Sequence, residues 1–232
     1  MDAKTHERQN PMRPTIQTVL FDLDGTFADT APDLAAALNR LRTELGLPSL
    51  ALELLRPHTS QGVRGMLRAG FNLQPGEPVY RDFSERYLRY YSSAICVHTT
   101  LFPGIEALIN ELEARRIDWG IVTNKAQRFA LPLLTQLGYA KRAACIVSGD
   151  SATHAKPSPQ PMWLACALLA CQAERTLYVG DDRRDIEAGQ AAGMKTVAVR
   201  YGYLSEDPAS TPIEHWGADY VVAHPDEIRA LL

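Results

Sequence analysis

Short apolar runs rich in β-branched residues recur along the chain at residues 18–21, 117–122, 145–147, 177–179, 196–199 and 220–222. Each has the length of a strand, and between them the apolar positions change to a helical spacing. Pro103 and Gly104 open one such stretch, whose apolar face is Ile105, Leu108, Ile109 and Leu112; residues 186–192 form another that ends at Gly193. A third, residues 126–137, contains Pro132, which should kink the helix or mark its first turn. Strands alternating with helices predict βαβ units, hence an α/β fold with a parallel sheet covered on both faces. Residues 30–95 break the rhythm. Leu34, Leu38, Leu41 and Leu45, then Phe83, Tyr87, Leu88 and Tyr91, follow the helical period with no convincing strand between them. The stretch therefore reads as a helical insertion after the first strand. The expected organisation is a frayed tail at 1–13, a core formed by 14–29 and 96–232, and a helical unit at 30–95. Residues 204–212 read as a polar, proline-bearing loop.

Composition narrows the choice of partner. The 232 residues are 46% hydrophobic and 22% charged, as in an ordinary soluble globular protein, with a net charge of −3. No basic footprint for nucleic acid is present, and an anionic ligand would have to be held by local cations or a metal. The alanine-rich apolar stretch 163–171 falls well short of the roughly 20 residues of a bilayer span, so no membrane segment is expected. The first residues lack the apolar stretch of a secretory signal. Cys96, Cys145, Cys166 and Cys171 show no metal or redox spacing, which predicts reduced thiols and a cytoplasmic protein. Small molecules are the expected partners.

Four polar motifs stand at or near predicted strand ends, where open α/β sheets bind ligands. The first is Phe21-Asp22-Leu23-Asp24-Gly25-Thr26; Asp-x-Asp-Gly is also a common turn. The second is Val122-Thr123-Asn124-Lys125, whose hydroxyl, amide and following N–H groups suit a phosphate oxygen but equally a helix cap. Lys156-Pro157 follows a polar loop, where a lone lysine is usually a surface charge. The last is Val179-Gly180-Asp181-Asp182-Arg183-Arg184-Asp185, in which clustered acids could simply cap the next helix. Their conjunction is what points to chemistry: together they supply paired carboxylates, a hydroxyl, a lysine and further carboxylates.

In that order and combination the motifs resemble those of the haloacid dehalogenase-like hydrolases, over nearly the whole chain after the tail. The resemblance implies a Rossmann-like core with a small helical cap, Mg²⁺ as cofactor, and phosphate release through an aspartyl phosphate. Asp22 would be the nucleophile and Asp24 the general acid and base. Thr123 and Lys156 would bind phosphoryl oxygens, with Asn124 adding a contact. Asp22, the carbonyl of Asp24, and Asp181 would hold the metal, and Asp185 would support it from behind or through water. Phe27 stands where leucine is usual, which puts packing in question and not chemistry. Residues 60–67 resemble the cap loop of phosphoglycolate phosphatases, making Gln61 and Arg64 candidates for leaving-group selection. Residues 102–105, 119–125 and 178–182 resemble a branch that includes phosphoglycolate phosphatases and N-acetylmuramic acid 6-phosphate phosphatases. A 2-phosphoglycolate-like ester is the leading substrate and N-acetylmuramic acid 6-phosphate the alternative. A sugar phosphomutase and a non-catalytic phosphate-binding domain are further readings; no spacing of the six histidines suits zinc.

Overall fold

The structure is a computed structural model that describes residues 16–204 and 211–232. The tail expected at 1–13 and most of the loop expected at 204–212 lie outside the described residues. The chain begins with β1 (Thr18–Phe21) and a two-residue β2 (Ala28–Asp29), then four helices: α1 (Ala31–Glu44), α2 (Leu52–Leu55), α3 (Gly62–Phe71) and α4 (Tyr80–Ser93). A short β3 (Thr100–Leu101) pairs antiparallel with β2. The alternating part follows as α5 (Ile105–Ala114), β4 (Asp118–Val122), α6 (Gln127–Gln136), β5 (Cys145–Val147), α7 (Gln160–Leu169), β6 (Thr176–Gly180), α8 (Arg183–Ala191), β7 (Lys195–Val199) and β8 (Tyr220–Val222).

Six of these strands form one parallel sheet in the order β5-β4-β1-β6-β7-β8. All six apolar runs are strands, and the α/β class is as expected. The sheet explains why the runs are almost uninterrupted in apolar character: it is covered on both faces. Val19, Phe21, Ile121, Val179 and Val197 face one buried cluster, shared with α5, α6 and the inserted helices. Leu20, Val122, Val147 and Tyr178 face a second, shared with α7 and α8. The chain leaves β1 toward β4 and β5 on one side and later returns to β6 on the other, so a topological switch point lies at the carboxyl end of β1. Pairing of Phe21 with Ile121 and Val179 brings the ends of β1, β4 and β6 level. Their loops therefore meet at that point.

Phe27 is accommodated by aromatic packing. It is fully buried, stacked on Trp119 at 5.6 Å and edge-on to Phe21 and Tyr139. Pro132 falls inside α6 and beyond its first turn, and the helix continues through it. The insertion holds the expected helices, with Leu34, Leu38, Leu41, Tyr87 and Tyr91 buried, while Leu45 is 38% exposed where α1 ends. Its anchoring was not foreseen. The Asp33 carboxylate accepts the N–H groups of Val97, His98 and Thr99 and the Thr99 hydroxyl at 2.7–3.0 Å, so the start of α1 grips the returning strand. Arg56 and the Tyr203 hydroxyl both bond to Asp29, each at 2.7 Å.

Candidate active site

Asp22 follows β1 directly and is buried beside Lys156, whose position depends on Asn124. Both ends of the Asn124 amide bond to the backbone of Lys156, the nitrogen to its carbonyl at 3.0 Å and the oxygen to its N–H at 2.9 Å. Asn124 is thus engaged in holding the lysine; the phosphate contact expected of it does not follow from this geometry. Lys156, joined to Pro157 by a cis peptide bond, is buried and not on the surface. Its ammonium contacts Asp22 Oδ1 at 2.8 Å, Asp185 Oδ1 at 2.6 Å, the Tyr178 hydroxyl at 2.8 Å and the Val122 carbonyl at 3.0 Å. Four oxygens surround three N–H bonds, so one partner can be exchanged for a ligand oxygen without stranding a donor. Burial opposes its charge, but Asp185 and Asp22 outweigh that and raise its pKa.

The fourth motif does two things. Asp182 caps α8, accepting the Arg184 N–H at 2.9 Å, while its own N–H bonds to Asp185 at 3.0 Å, so the acids do form a capping box. Yet Asp181 and Asp185 also turn inward, and one oxygen from each lies within 4.8 Å of the others and of an Asp22 oxygen. Asp181 accepts the Thr26 hydroxyl at 3.0 Å and the Tyr203 N–H at 2.8 Å. Burial, then the charges of Asp22 and Asp185, push Asp181 well above the usual carboxylate range. Burial likewise pushes Asp185 up to about 7, against the pull of Lys156. Three carboxylates with a single ammonium among them leave surplus negative charge, and an all-oxygen donor set suits a hard divalent cation. The residues present fit such an ion. Asp185, expected to support the metal from behind or through water, contributes an oxygen to this cluster.

Asp24 is kept apart from these acids. Its carboxylate accepts the Thr30 hydroxyl at 2.6 Å and the Lys125 ammonium at 2.9 Å. The two aspartates, one on each side of Leu23, thus have different partners, and Gly25 turns the chain just after the second. Gly25 has φ of 89°, and a Cβ there would run into the Asp181 carboxylate, so only glycine fits. Thr123 is buried at the end of β4, with its hydroxyl accepting the Lys125 N–H at 3.2 Å.

A cleft of about 340 Å³ opens above Asp22 and Asp24, between the core loops and the insertion. Thr123, Asn124, Lys156, Asp185 and Gln61 line it, and Asp181 borders an adjoining cleft. Arg64 does not line either cleft; it is exposed on α3. The insertion meets the fourth motif where Arg184 bonds to the Ser60 carbonyl at 2.9 Å. Sequence reading gave no role to Lys125, Arg184 or Tyr203. Lys125 sat within a recognised motif, but nothing near Tyr203 signals its contact with Asp181.

The site thus combines a carboxylate held by a buried lysine, a second carboxylate in a separate environment, and an acidic cluster that could hold a cation, all at a switch point. The family model for haloacid dehalogenase-like hydrolases matches residues 19–199, and the chain belongs to that family. It is a phosphoric monoester hydrolase. Among its relatives, N-acetylmuramic acid 6-phosphate phosphatase of Pseudomonas aeruginosa is 42% identical over 220 residues, covering 95% of this chain and 96% of the relative. Phosphoglycolate phosphatase of Xanthomonas campestris pv. campestris is 39% identical over 217 residues, covering 91% and 94%. A crystal structure described as a predicted phosphoglycolate phosphatase from Haemophilus somnus superposes with a TM-score of 0.81 at 25% identity, covering 94% of this chain and 98% of that one.

Proposed function

We propose that the protein is a magnesium-dependent phosphomonoesterase acting on a small phosphorylated metabolite through an aspartyl phosphate at Asp22. The observation that carries this reading is the buried Lys156 ammonium shared by Asp22 and Asp185, beside Asp181. Asp22 and Lys156 sit where a phosphoryl group would be bound by one and attacked by the other. Mg²⁺ held by Asp22, Asp181 and the Asp24 carbonyl, with Asp185 at hand, would supply charge neutralisation as one anion attacks another. Lys156 and Thr123 hold phosphoryl oxygens. Asp24 protonates the leaving alcohol and then takes a proton from the water that releases phosphate. Its separate bonds to Thr30 and Lys125 let it serve a different role from Asp22.

Residues 30–95 serve as the cap that shuts water from this chemistry, with Gln61 at the cleft. The leading substrate is a 2-phosphoglycolate-like ester. A second reading, N-acetylmuramic acid 6-phosphate, is supported by room: about 340 Å³ lies within the range of pockets that hold drug-sized ligands. No described helix is long and apolar enough to cross a membrane. A cytoplasmic setting is part of the proposal, supported by four cysteines left free. Phosphate release with Mg²⁺ should be screened over both esters and several sugar phosphates. The reading expects turnover of at least one and none by Asp22→Asn; inertness toward all, or turnover by folded Asp22→Asn, overturns it.

A further inference from the structure

Four cations line the cleft: Lys125, Arg128, Lys156 and Arg184. Three are already paired with acids. Lys125 bonds to Asp24 at 2.9 Å, Lys156 to Asp22 and Asp185 at 2.8 and 2.6 Å, and Arg184 to Asp182 at 2.7 Å. Arg128 has no carboxylate among the described residues. Its guanidinium lies over the Phe129 ring, 4.8 Å from the centroid, an arrangement that orients the planar group without neutralising it. The residue sits in the first turn of α6, close after the Thr123 loop that addresses phosphate.

Beside it, α4 brings tyrosines to the same cleft, with Tyr91 packed 5.7 Å from the Phe129 ring. Tyr87 and Tyr91, one turn apart on α4, line the same cleft at 0% and 1% exposure; the Tyr87 hydroxyl has no hydrogen-bond partner among the described residues, and the Tyr91 hydroxyl faces the Lys125 ammonium, which can only donate, so its own O–H is left to bond elsewhere. A buried hydroxyl without a partner is costly, so a ligand that bonds to it recovers the loss. The phosphoryl group is already provided for by Lys156 and Thr123. What remains for Arg128 and the two tyrosines is the alcohol part of the ester.

We infer that Arg128 is a specificity-determining residue that takes a carboxylate carried by the leaving group, while Tyr87 and Tyr91 bond to oxygens around it. A planar guanidinium matches a carboxylate through two parallel N–H bonds, which a lysine cannot reproduce. One unpaired cation suits a monoanion better than a second phosphate. Selectivity is thus divided between α6 of the core and α4 of the insertion, and does not reside only in the loop around Gln61. The inference rests on the phosphatase reading.

The test uses the full chain with Mg²⁺ and two substrate pairs that differ in the carboxylate. These are N-acetylmuramic acid 6-phosphate with N-acetylglucosamine 6-phosphate, and 2-phosphoglycolate with ethyl phosphate. Wild type should favour the carboxylate ester of the pair it hydrolyses. Arg128→Ala should reduce that preference in kcat/KM by about tenfold or more, chiefly through KM, as expected when a site loses the partner of a polar substrate group. Arg128→Lys should restore part of it. Tyr87→Phe and Tyr91→Phe should lower kcat/KM for the sugar esters without erasing the carboxylate preference. A wild type with no such preference, or an Arg128→Ala variant that keeps it with an unchanged Tm, overturns the inference. Failure of wild type to release phosphate from any ester would instead overturn the phosphatase reading, so the two failures are distinct.

Discussion

Replacing Lys156 by methionine keeps much of the volume and deletes the charge, which makes it a direct probe of the site's electrostatics. The lost ammonium contacts four oxygens at 2.6 to 3.0 Å, two of them carboxylate oxygens. Removing one partner of a buried ion pair costs about 3–5 kcal/mol, because the other charge stays behind. Here the cost depends on pH. Asp185 already titrates at about 7 with the lysine present and must rise further without it. Below that value its proton removes the orphan charge, so chemical denaturation without metal should show a smaller loss at about pH 5 than at about pH 8. In catalysis, losing one preorganised charged donor costs about 10²–10³ in kcat. Since Lys156 is assigned to the phosphoryl group shared by every ester, kcat/KM should fall together for 2-phosphoglycolate, N-acetylmuramic acid 6-phosphate and an aryl phosphate. Near-wild-type turnover, or a loss confined to one ester, would refute the assignment.

Two further outcomes follow from the acids. Gly25→Ala adds roughly 1–2 kcal/mol of strain at positive φ and displaces the Asp181 carboxylate, so Tm should drop and the response of Tm to Mg²⁺ should vanish; an unaltered response contradicts the packing of Gly25 on Asp181. Asp185 is raised from 3.8 to about 7, so in that window the folded, metal-free protein binds a proton that the unfolded chain does not. Its stability contribution is present at low pH and is lost as pH rises through the folded value. Mg²⁺ needs the deprotonated acids, so the rise in Tm it produces should grow between about pH 5 and about pH 8. A rise that is equal at both ends or shrinks would contradict the cluster as the metal site.

The parallel sheet was legible because strands buried on both faces keep an apolar character that survives any register. β2 and β3 were not, since two residues carry no periodicity. The strand-end motifs announced Asp22, Thr123, Lys156 and Asp181 because the chain must place them at the switch point. What each does with its hydrogen bonds was hidden. Asn124 reads as a phosphate contact until both ends of its amide are seen on Lys156. Gln61 and Arg64 lie three residues apart, yet one reaches the cleft and the other lies exposed on α3. Arg128 and Tyr87 are far apart in sequence and line one cleft only because α4 of the insertion packs against α6 through Tyr91 and Phe129. The grip of Asp33 on the returning chain is a long-range contact with no local signature.

Trapping the phosphoryl group on Asp22 tests the proposed reaction most directly. Wild type and Asp22→Asn should be mixed with a radiolabelled ester that wild type hydrolyses, in the presence of Mg²⁺, and quenched in acid within one turnover. Asp24→Asn should be treated alike to slow breakdown of the intermediate. A hydroxylamine-sensitive label is expected on the peptide containing Asp22 in wild type, retained longer in Asp24→Asn and absent from Asp22→Asn. Label on another residue, or single-turnover phosphate release by the Asp22→Asn protein, would contradict it.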